Sequence, residues 1–263
     1  MSAMLTIILP FFNEAGWIGR TVASLAAQSD THFRLLMIDN ASTDDGASEA
    51  AMEADILGDR ATISLCAIPG KIPAMAAGLA MVDTPLVAIC DADTLYPPDY
   101  VGRILELFET DAQAVAVMAI DLYAPRADPR SGRRIARIMR KSRRYSAKCH
   151  AGGYAQAFRT DALRTAGGFD SRRWPYVLED HEIVHRILRH GTAVYHPDHV
   201  CFPSERRVSR TSVSWTRAER LFYRYLPRGA LDWYFYRFLG RRLARRNGFG
   251  IALRRKDWAS TAL

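Results

Sequence analysis

The sequence predicts an α/β protein with a mostly parallel central sheet flanked by helices, followed by a helical C-terminal extension. Apolar runs of strand length alternate with segments of helical spacing through the first ninety or so residues. The runs are almost continuously apolar, as expected of strands covered on both faces. Two of them end in aspartate, and open sheets of this type bind ligands at the carboxyl ends of their strands.

Each element follows in order. "LTIILPFF" reads as a buried strand, and "NEAGWIGRTVASLAAQ" follows with Ile18, Val22 and Leu25 at helical spacing. "FRLLMIDN" is a second strand ending in Asp39. "ASTDDGASEAAMEAD" opens on Ser42, Thr43 and Asp44, good N-cap types, before a helical pattern. "ATISLCAI" is a third strand, "KIPAMAAGLAMV" a helix, and "PLVAIC" a fourth strand ending at Asp91. Further on, "AVAVMAIDLY" is a strand. "SGRRIARIMRKSRRYSAKC" is a basic amphipathic helix with Ile135, Ile138, Met139 and Ser142 on one side. "AGGYAQAFRTDALRTAGGFD" is punctuated by glycine, with a short helix near Asp161 to Thr165. "LEDHEIVHRILRHG" is a helix closed by Gly191, and "TAVYHPDHVCF" a last strand.

Composition narrows the class. The 263 residues, 49% hydrophobic and 24% charged, suffice for one large domain with an appendage. The division expected is 1–212 for the main domain, in two halves 1–100 and 101–212, and 213–263 for a basic, aromatic-rich extension. The four scattered cysteines argue for a reducing, cytoplasmic setting and against a disulfide framework. No signal peptide and no membrane-spanning run is visible. The net charge of +8 is uneven: residues 206–263 hold fifteen Arg or Lys against three acids, and residues 126–148 hold ten against Asp128 alone. Two basic blocks on an acidic body point to an anionic partner.

In "VAICDADTLYPP", Asp91 and Asp93 place two like charges one residue apart. They either end a strand and start a turn or hold a hard divalent cation such as Mn2+ or Mg2+, with substrate phosphates completing the shell.

The blocks "ILPFFNE", "LLMIDNASTDDG", "GKIPAMAAGLA", "VAICDADTLYPPDY", "GGFD" and "LEDHEIVHRILRHG", in this order, resemble the family 2 glycosyltransferases of the GT-A fold. The resemblance runs to about Gly191. It implies metal-dependent, inverting transfer of a sugar from a nucleoside diphosphate, with UDP expected, to an acceptor hydroxyl. By it, Pro10, Phe12, Asn13 and Glu14 lie beside the nucleoside. Asp39 hydrogen-bonds the base, where a carboxylate suits an imide N–H because it only accepts. Lys71 passes the donor, Asp93 binds the cation, and Asp91 touches ribose or the metal shell. Asp180 is the general base beside Glu179, and Gly167 and Gly168 open the loop toward the acceptor. Trp174 is placed with the acceptor residues, either stacking on a sugar or packing in the core. Asp39 could equally be a turn former, Lys71 a solvated lysine, and Glu179 and Asp180 acids favoured at a helix N-terminus.

The sequence also departs from the family pattern. Phe12 replaces the usual Tyr, and Ala76 stands where Asn is common. A metal-binding His is frequent near the final strand, where His199 lies slightly upstream. Ser204, Arg206 and Arg207 fit a Ser-x-Arg-Arg pattern, suited to holding a diphosphate.

Two other readings compete. "HEIVH" is a formal zinc-hydrolase motif, His181 and His185 as ligands and Glu182 as base. It explains five residues and leaves the aspartates without a role, so Glu182→Gln is expected to be mild. A nucleic-acid-binding module would use only the basic blocks, with no accompanying motif. Finally, the tail interleaves arginines with Trp215, Phe222, Tyr223, Trp233, Tyr234, Phe235 and Phe238. Such a pattern suits either the interface of an anionic membrane, with a lipid-linked acceptor and a peripheral enzyme on the cytosolic face, or packing on the catalytic domain.

Overall fold

The computed structural model describes residues 3–204 and 215–255. The first half is β1 (Leu5–Phe11), α1 (Ile18–Ala26), β2 (Phe33–Asp39), α2 (Gly46–Ala54), β3 (Ala61–Leu65), α3 (Lys71–Met81) and β4 (Leu86–Ile89). β1 is buried along its length and runs parallel to both β2 and β4. β3 pairs parallel with β2 at the sheet edge. Edge position explains why β3 is less covered than its apolar run predicts: Ile63 and Leu65 are exposed.

The second half holds β5 (Thr94–Leu95), α4 (Tyr100–Thr110), β6 (Ala114–Asp121), α5 (Pro129–Arg144), β7 (Gln156–Arg159), α6 (Thr160–Thr165), α7 (Glu179–Ile187) and β8 (Thr192–Pro203). The sheet order is β3-β2-β1-β4-β7-β6-β8-β5. β7 runs antiparallel between β4 and β6, while β8 is parallel to β6. β7 is not among the strands read from the sequence. Its four residues follow paired glycines and are too few to show a period. Its direction matters: because Gln156 pairs with Ile89, the turn before β7 lies beside the carboxyl end of β4.

The tail forms α8 (Arg217–Tyr225), a π-helical turn over Trp233–Leu239, and α9 (Gly240–Arg245). Thr216 and Glu219 close a reciprocal capping box at the start of α8. The apolar side chains of the tail fall into a buried set and an exposed set. Trp215, Tyr223, Tyr234 and Phe235 are buried, with Leu231, Leu239 and Leu243, whereas Leu221, Phe222, Tyr225 and Trp233 are exposed. The buried set packs on α7: Trp215 and His181 rings lie 4.6 Å apart, and Phe235 and His185 rings 5.3 Å. Among the described residues no helix is long and apolar enough to cross a membrane.

Candidate active site

The loops after β1 and β2 are stitched together. Asn13, with φ of 52°, donates its backbone N–H to Ser42 Oγ at 3.1 Å and accepts from the Thr43 N–H at 2.8 Å. The Ala15 N–H donates to Asp44 Oδ2 at 2.9 Å. Half-buried Asp39 closes the end of β2, its Oδ1 accepting from the Ser42 N–H at 2.9 Å. Pro10 is buried inside β1, and Phe12 and Glu14 are half-buried at its mouth. Asn40, which the motifs do not single out, holds the next wall. It donates to the Cys66 and Ile68 carbonyls and accepts from the Gly70 N–H at 2.7 Å. Gly70 has φ of 121°, a conformation open to glycine, and turns the chain so that Lys71 begins α3.

Asp91 and Asp93 follow β4 and are both buried. Lys71 Nζ lies 2.8 Å from Asp91 Oδ1 and 3.5 Å from Glu179 Oε1, so a single ammonium joins α3, β4 and α7. The Asp91 N–H donates to Tyr96 Oη, and the Tyr96 hydroxyl donates onward to the Tyr154 carbonyl. Ser204, at the end of β8, donates Oγ–H to Asp93 Oδ2 and its N–H to the Asp93 carbonyl, each at 2.9 Å. Arg206 and Arg207, expected at the diphosphate, lie outside the described residues.

Glu179 and Asp180 open α7 behind Leu178, whose φ of 68° is rare for a residue with a side chain. The turn before β7 reaches the same point. A Cβ on Gly153 would fall 3.3 Å from Asp180 Cβ, 3.4 Å from Lys71 Nζ and 4.0 Å from Glu179 Oε1. Gly153 therefore leaves the space in which the lysine and the carboxylates converge, and reads in the sequence as an ordinary turn glycine. Burial pushes the Asp180 carboxyl up to about 6, against the opposing pull of Lys71. Burial raises Glu179 as well, Lys71 again opposing.

Asp91 and Asp93 fit a hard divalent cation on chemistry: both carboxylates are buried just past the carboxyl end of β4, and every side-chain donor they offer is oxygen. Lys71 is the cation paired with Asp91 in this structure.

One expected acceptor residue is corrected. Trp174 is not at an open acceptor surface. Its ring is buried, donates Nε1–H to the Val177 carbonyl at 3.0 Å, and packs edge-on against Tyr176 and Phe235. Gly167 and Gly168 end α6 with φ of 90° and 54°, their N–H groups returning to Arg164 and Leu163 carbonyls. The zinc motif is taken up by packing. Buried Glu182 accepts from Arg186 at 2.7 and 2.9 Å and from the Tyr236 hydroxyl. His185 Nε2 is 2.8 Å from Asp232, while the His181 ring packs on Trp215. Burial depresses both histidines, His181 to about 3. His199 is buried and stacks on Tyr100, and burial holds it at about 3.

Comparison with known proteins agrees with this frame. The model of the family described as "Glycosyl transferase family 2" matches residues 6–167. An uncharacterised glycosyltransferase of Nostoc sp. is 28% identical over 114 residues, 43% of this chain and 35% of that protein. An undecaprenyl-phosphate 4-deoxy-4-formamido-L-arabinose transferase of Sodalis glossinidius is 30% identical over 118 residues, 43% of this chain and 36% of that protein. The matches thus span about a third of those relatives' lengths. Among solved structures, a mannosyltransferase from Pyrobaculum calidifontis in complex with GDP-Man and Mn2+ superposes with a TM-score of 0.67 at 19% identity, covering 100% of this chain and 77% of that one. S. aureus TarS in complex with UDP-GlcNAc follows at 0.60 and 17%, covering 94% and 75%. These last two likenesses concern the fold.

Proposed function

The chain belongs to glycosyl transferase family 2, and from that premise we propose that it transfers a sugar from a nucleoside-diphosphate sugar to an acceptor hydroxyl with inversion. The observation that carries the proposal is the meeting of Lys71, Asp91, Glu179 and Asp180 around the gap left by Gly153. Donor-side carboxylates and a candidate base face one another there.

In this reading the stitched loops after β1 and β2 seat the nucleoside and Asp39 accepts from the base. A carboxylate serves the imide N–H of uracil and equally the N–H groups of guanine. UDP is the donor proposed, and GDP belongs in the test. Asp91 and Asp93 would hold Mn2+ or Mg2+, which when bound neutralises negative charge on the departing diphosphate. Asp180 takes the proton of the acceptor hydroxyl as that oxygen attacks the anomeric carbon from the face opposite the diphosphate. Lys71 fixes Glu179 and Asp91 in register and favours the ionised base. Gly167 and Gly168 serve the acceptor side indirectly: Arg186 donates to the Ala166 and Gly168 carbonyls, tying that loop to α7.

For the acceptor we propose a lipid-linked sugar or lipid phosphate, handled by a peripheral protein on a cytosolic membrane face. The Sodalis relative's name and the basic surface support this placement.

The test is calorimetry with UDP and GDP, each with and without Mn2+. The expected result is tight UDP binding that needs the cation and is lost in Asp93→Ala. Unchanged affinity in EDTA would remove the metal assignment.

A further inference from the structure

The two basic blocks, far apart in sequence, meet in space. The Arg224 guanidinium on α8 lies 5.2 Å above the ring of Tyr145, the residue that ends α5. Tyr145 and Tyr225 rings approach to 6.3 Å, and Lys148 Nζ donates to the Leu226 carbonyl at 2.9 Å. Along this seam Lys141 is held below the ordinary lysine value, first by partial burial and then by Arg137, Arg224 and Arg220. Among the described residues the nearby acids pair with other basic residues than Arg137, Lys141, Arg220 and Arg224: Glu219 with Arg242 and Arg246, Asp121 with Arg134, Asp128 with Arg130 and Asp232 with Arg189. Like charges gathered in this way repel, and an external anion relieves the repulsion.

Beside the seam lies an apolar patch. Leu221, Phe222, Tyr225 and Trp233 are 55%, 39%, 63% and 49% exposed. Two of them cluster: Phe222 and Trp233 rings are 6.0 Å apart, and Phe238 lies 5.2 Å from the first and 5.6 Å from the second. The outer face of α5 adds a groove with Ile135 and Met139 in its lining and Arg140 and Arg143 beside them. Leu, Trp and Tyr bordered by arginine make the composition of a bilayer interface. Single-stranded nucleic acid asks instead for open ring faces, and Trp233 stacks one of its faces on Phe238 at an interplanar angle of 23°.

We propose that the α5–α8 seam and the Leu221–Trp233 patch form one docking surface for an anionic phospholipid bilayer. The arginines meet headgroup phosphates and the four exposed side chains enter the interface. The surface gives the peripheral placement above a physical basis, and its role with a lipid-linked acceptor rests on that reading. The opposite side of α8 presents Tyr223 to His181, the residue after the candidate base, with Trp215 just before the helix packed on the same ring. One helix diameter, about 10 Å, thus separates the docking face from α7.

Flotation of the full-length protein on phosphatidylcholine vesicles, with and without ~30% phosphatidylglycerol, tests the proposal. Binding to the anionic vesicles alone is expected, falling more than tenfold at ~500 mM salt. Leu221→Ser/Trp233→Ser and Arg137→Glu/Lys141→Glu each reduce binding at least fivefold, with unchanged melting and unchanged UDP binding. Absence of flotation by the folded wild-type protein at low salt overturns the proposal. So does equal binding to neutral vesicles, full binding by both double variants, or capture of a single-stranded RNA oligomer in place of vesicles. UDP binding on the same preparations separates the two readings: flotation without nucleotide binding leaves the docking surface standing and removes the donor site.

Discussion

As the proposed base, Asp180 would have to be ionised when an acceptor hydroxyl arrives, and its surroundings set the pH at which that holds. Its carboxyl is raised to about 6, first by burial, with Lys71 opposing. A raised carboxyl keeps its proton to higher pH, so the base form fills as pH climbs through about 6. The pH profile of kcat/KM should rise on its acid side with an apparent value near 6 and then level. Lys71→Met removes the largest opposing charge and should move that limb to higher pH; a limb that stays put would detach Lys71 from the base. The same shift has a stability sign. The folded state holds this proton more tightly than the unfolded chain, so Asp180 favours folding at acid pH. That contribution is lost as pH rises from the ordinary carboxyl value toward 6. Asp180→Asn should lower transfer by about 10²–10⁴ and leave UDP binding nearly unchanged. Gly153→Val offers a second probe. Its side chain would enter the space shared by Asp180, Lys71 and Glu179, so turnover should fall at least ~10-fold, about 1.4 kcal/mol, with little change in melting. Normal turnover by this variant would mean that the gap is not used.

At the scale of the element, α7 is held from behind by the tail. Glu182 faces Arg186 and Tyr236, His185 faces Asp232, and His181 packs on Trp215. These contacts change what Glu182→Gln should do. The amide cannot balance a buried guanidinium, and breaking such a pair costs about 3–5 kcal/mol. The variant should melt roughly 10 °C lower, with the loss of activity at assay temperature following the melt. A normal melt and a large kcat loss would instead give Glu182 a chemical role. The zinc-like spacing shows how a local pattern misleads: His-Glu-x-x-His on a helix says which side chains share a face but not what meets that face. By contrast, Asp39 and Asp91 were legible because strand ends are marked by apolar runs stopping at a polar residue. Gly153 was not legible, because its meaning comes from a four-residue antiparallel strand that no period reveals. Ser204 reached the site on a pattern of arginines outside the described residues, but its hydrogen bond to Asp93 depends on β8 pairing with β5. Trp174 carried no local signal to separate stacking on sugar from edge-on packing against Phe235.

For the whole molecule, the question is whether 213–263 is a separable appendage. We propose that the division near residue 212 is one of function and not of folding. Leu231, Tyr234, Phe235, Leu239 and Leu243 are each fully buried; Phe235 covers Trp174 and His185, Phe249 covers Tyr176, and Trp215 covers His181. Full burial of one such side chain contributes about 1.5–3 kcal/mol, so uncovering this face removes a large share of a net stability of about 5–15 kcal/mol. A chain ending near Val213 should therefore melt far below the full-length protein or fail to stay in solution. A tail-less form would then lose vesicle binding by unfolding, which is why the docking surface is better probed by exposed substitutions. Scanning fluorimetry of the two forms, with UDP and Mn2+ added to each, decides the matter. A cooperative melt within a few degrees of full length, with nucleotide binding intact, would make the tail an independent unit. Loss of the transition, or a drop well beyond ~10 °C, would make it the back wall of the active site, holding Glu179 and Asp180 where Lys71 can reach them.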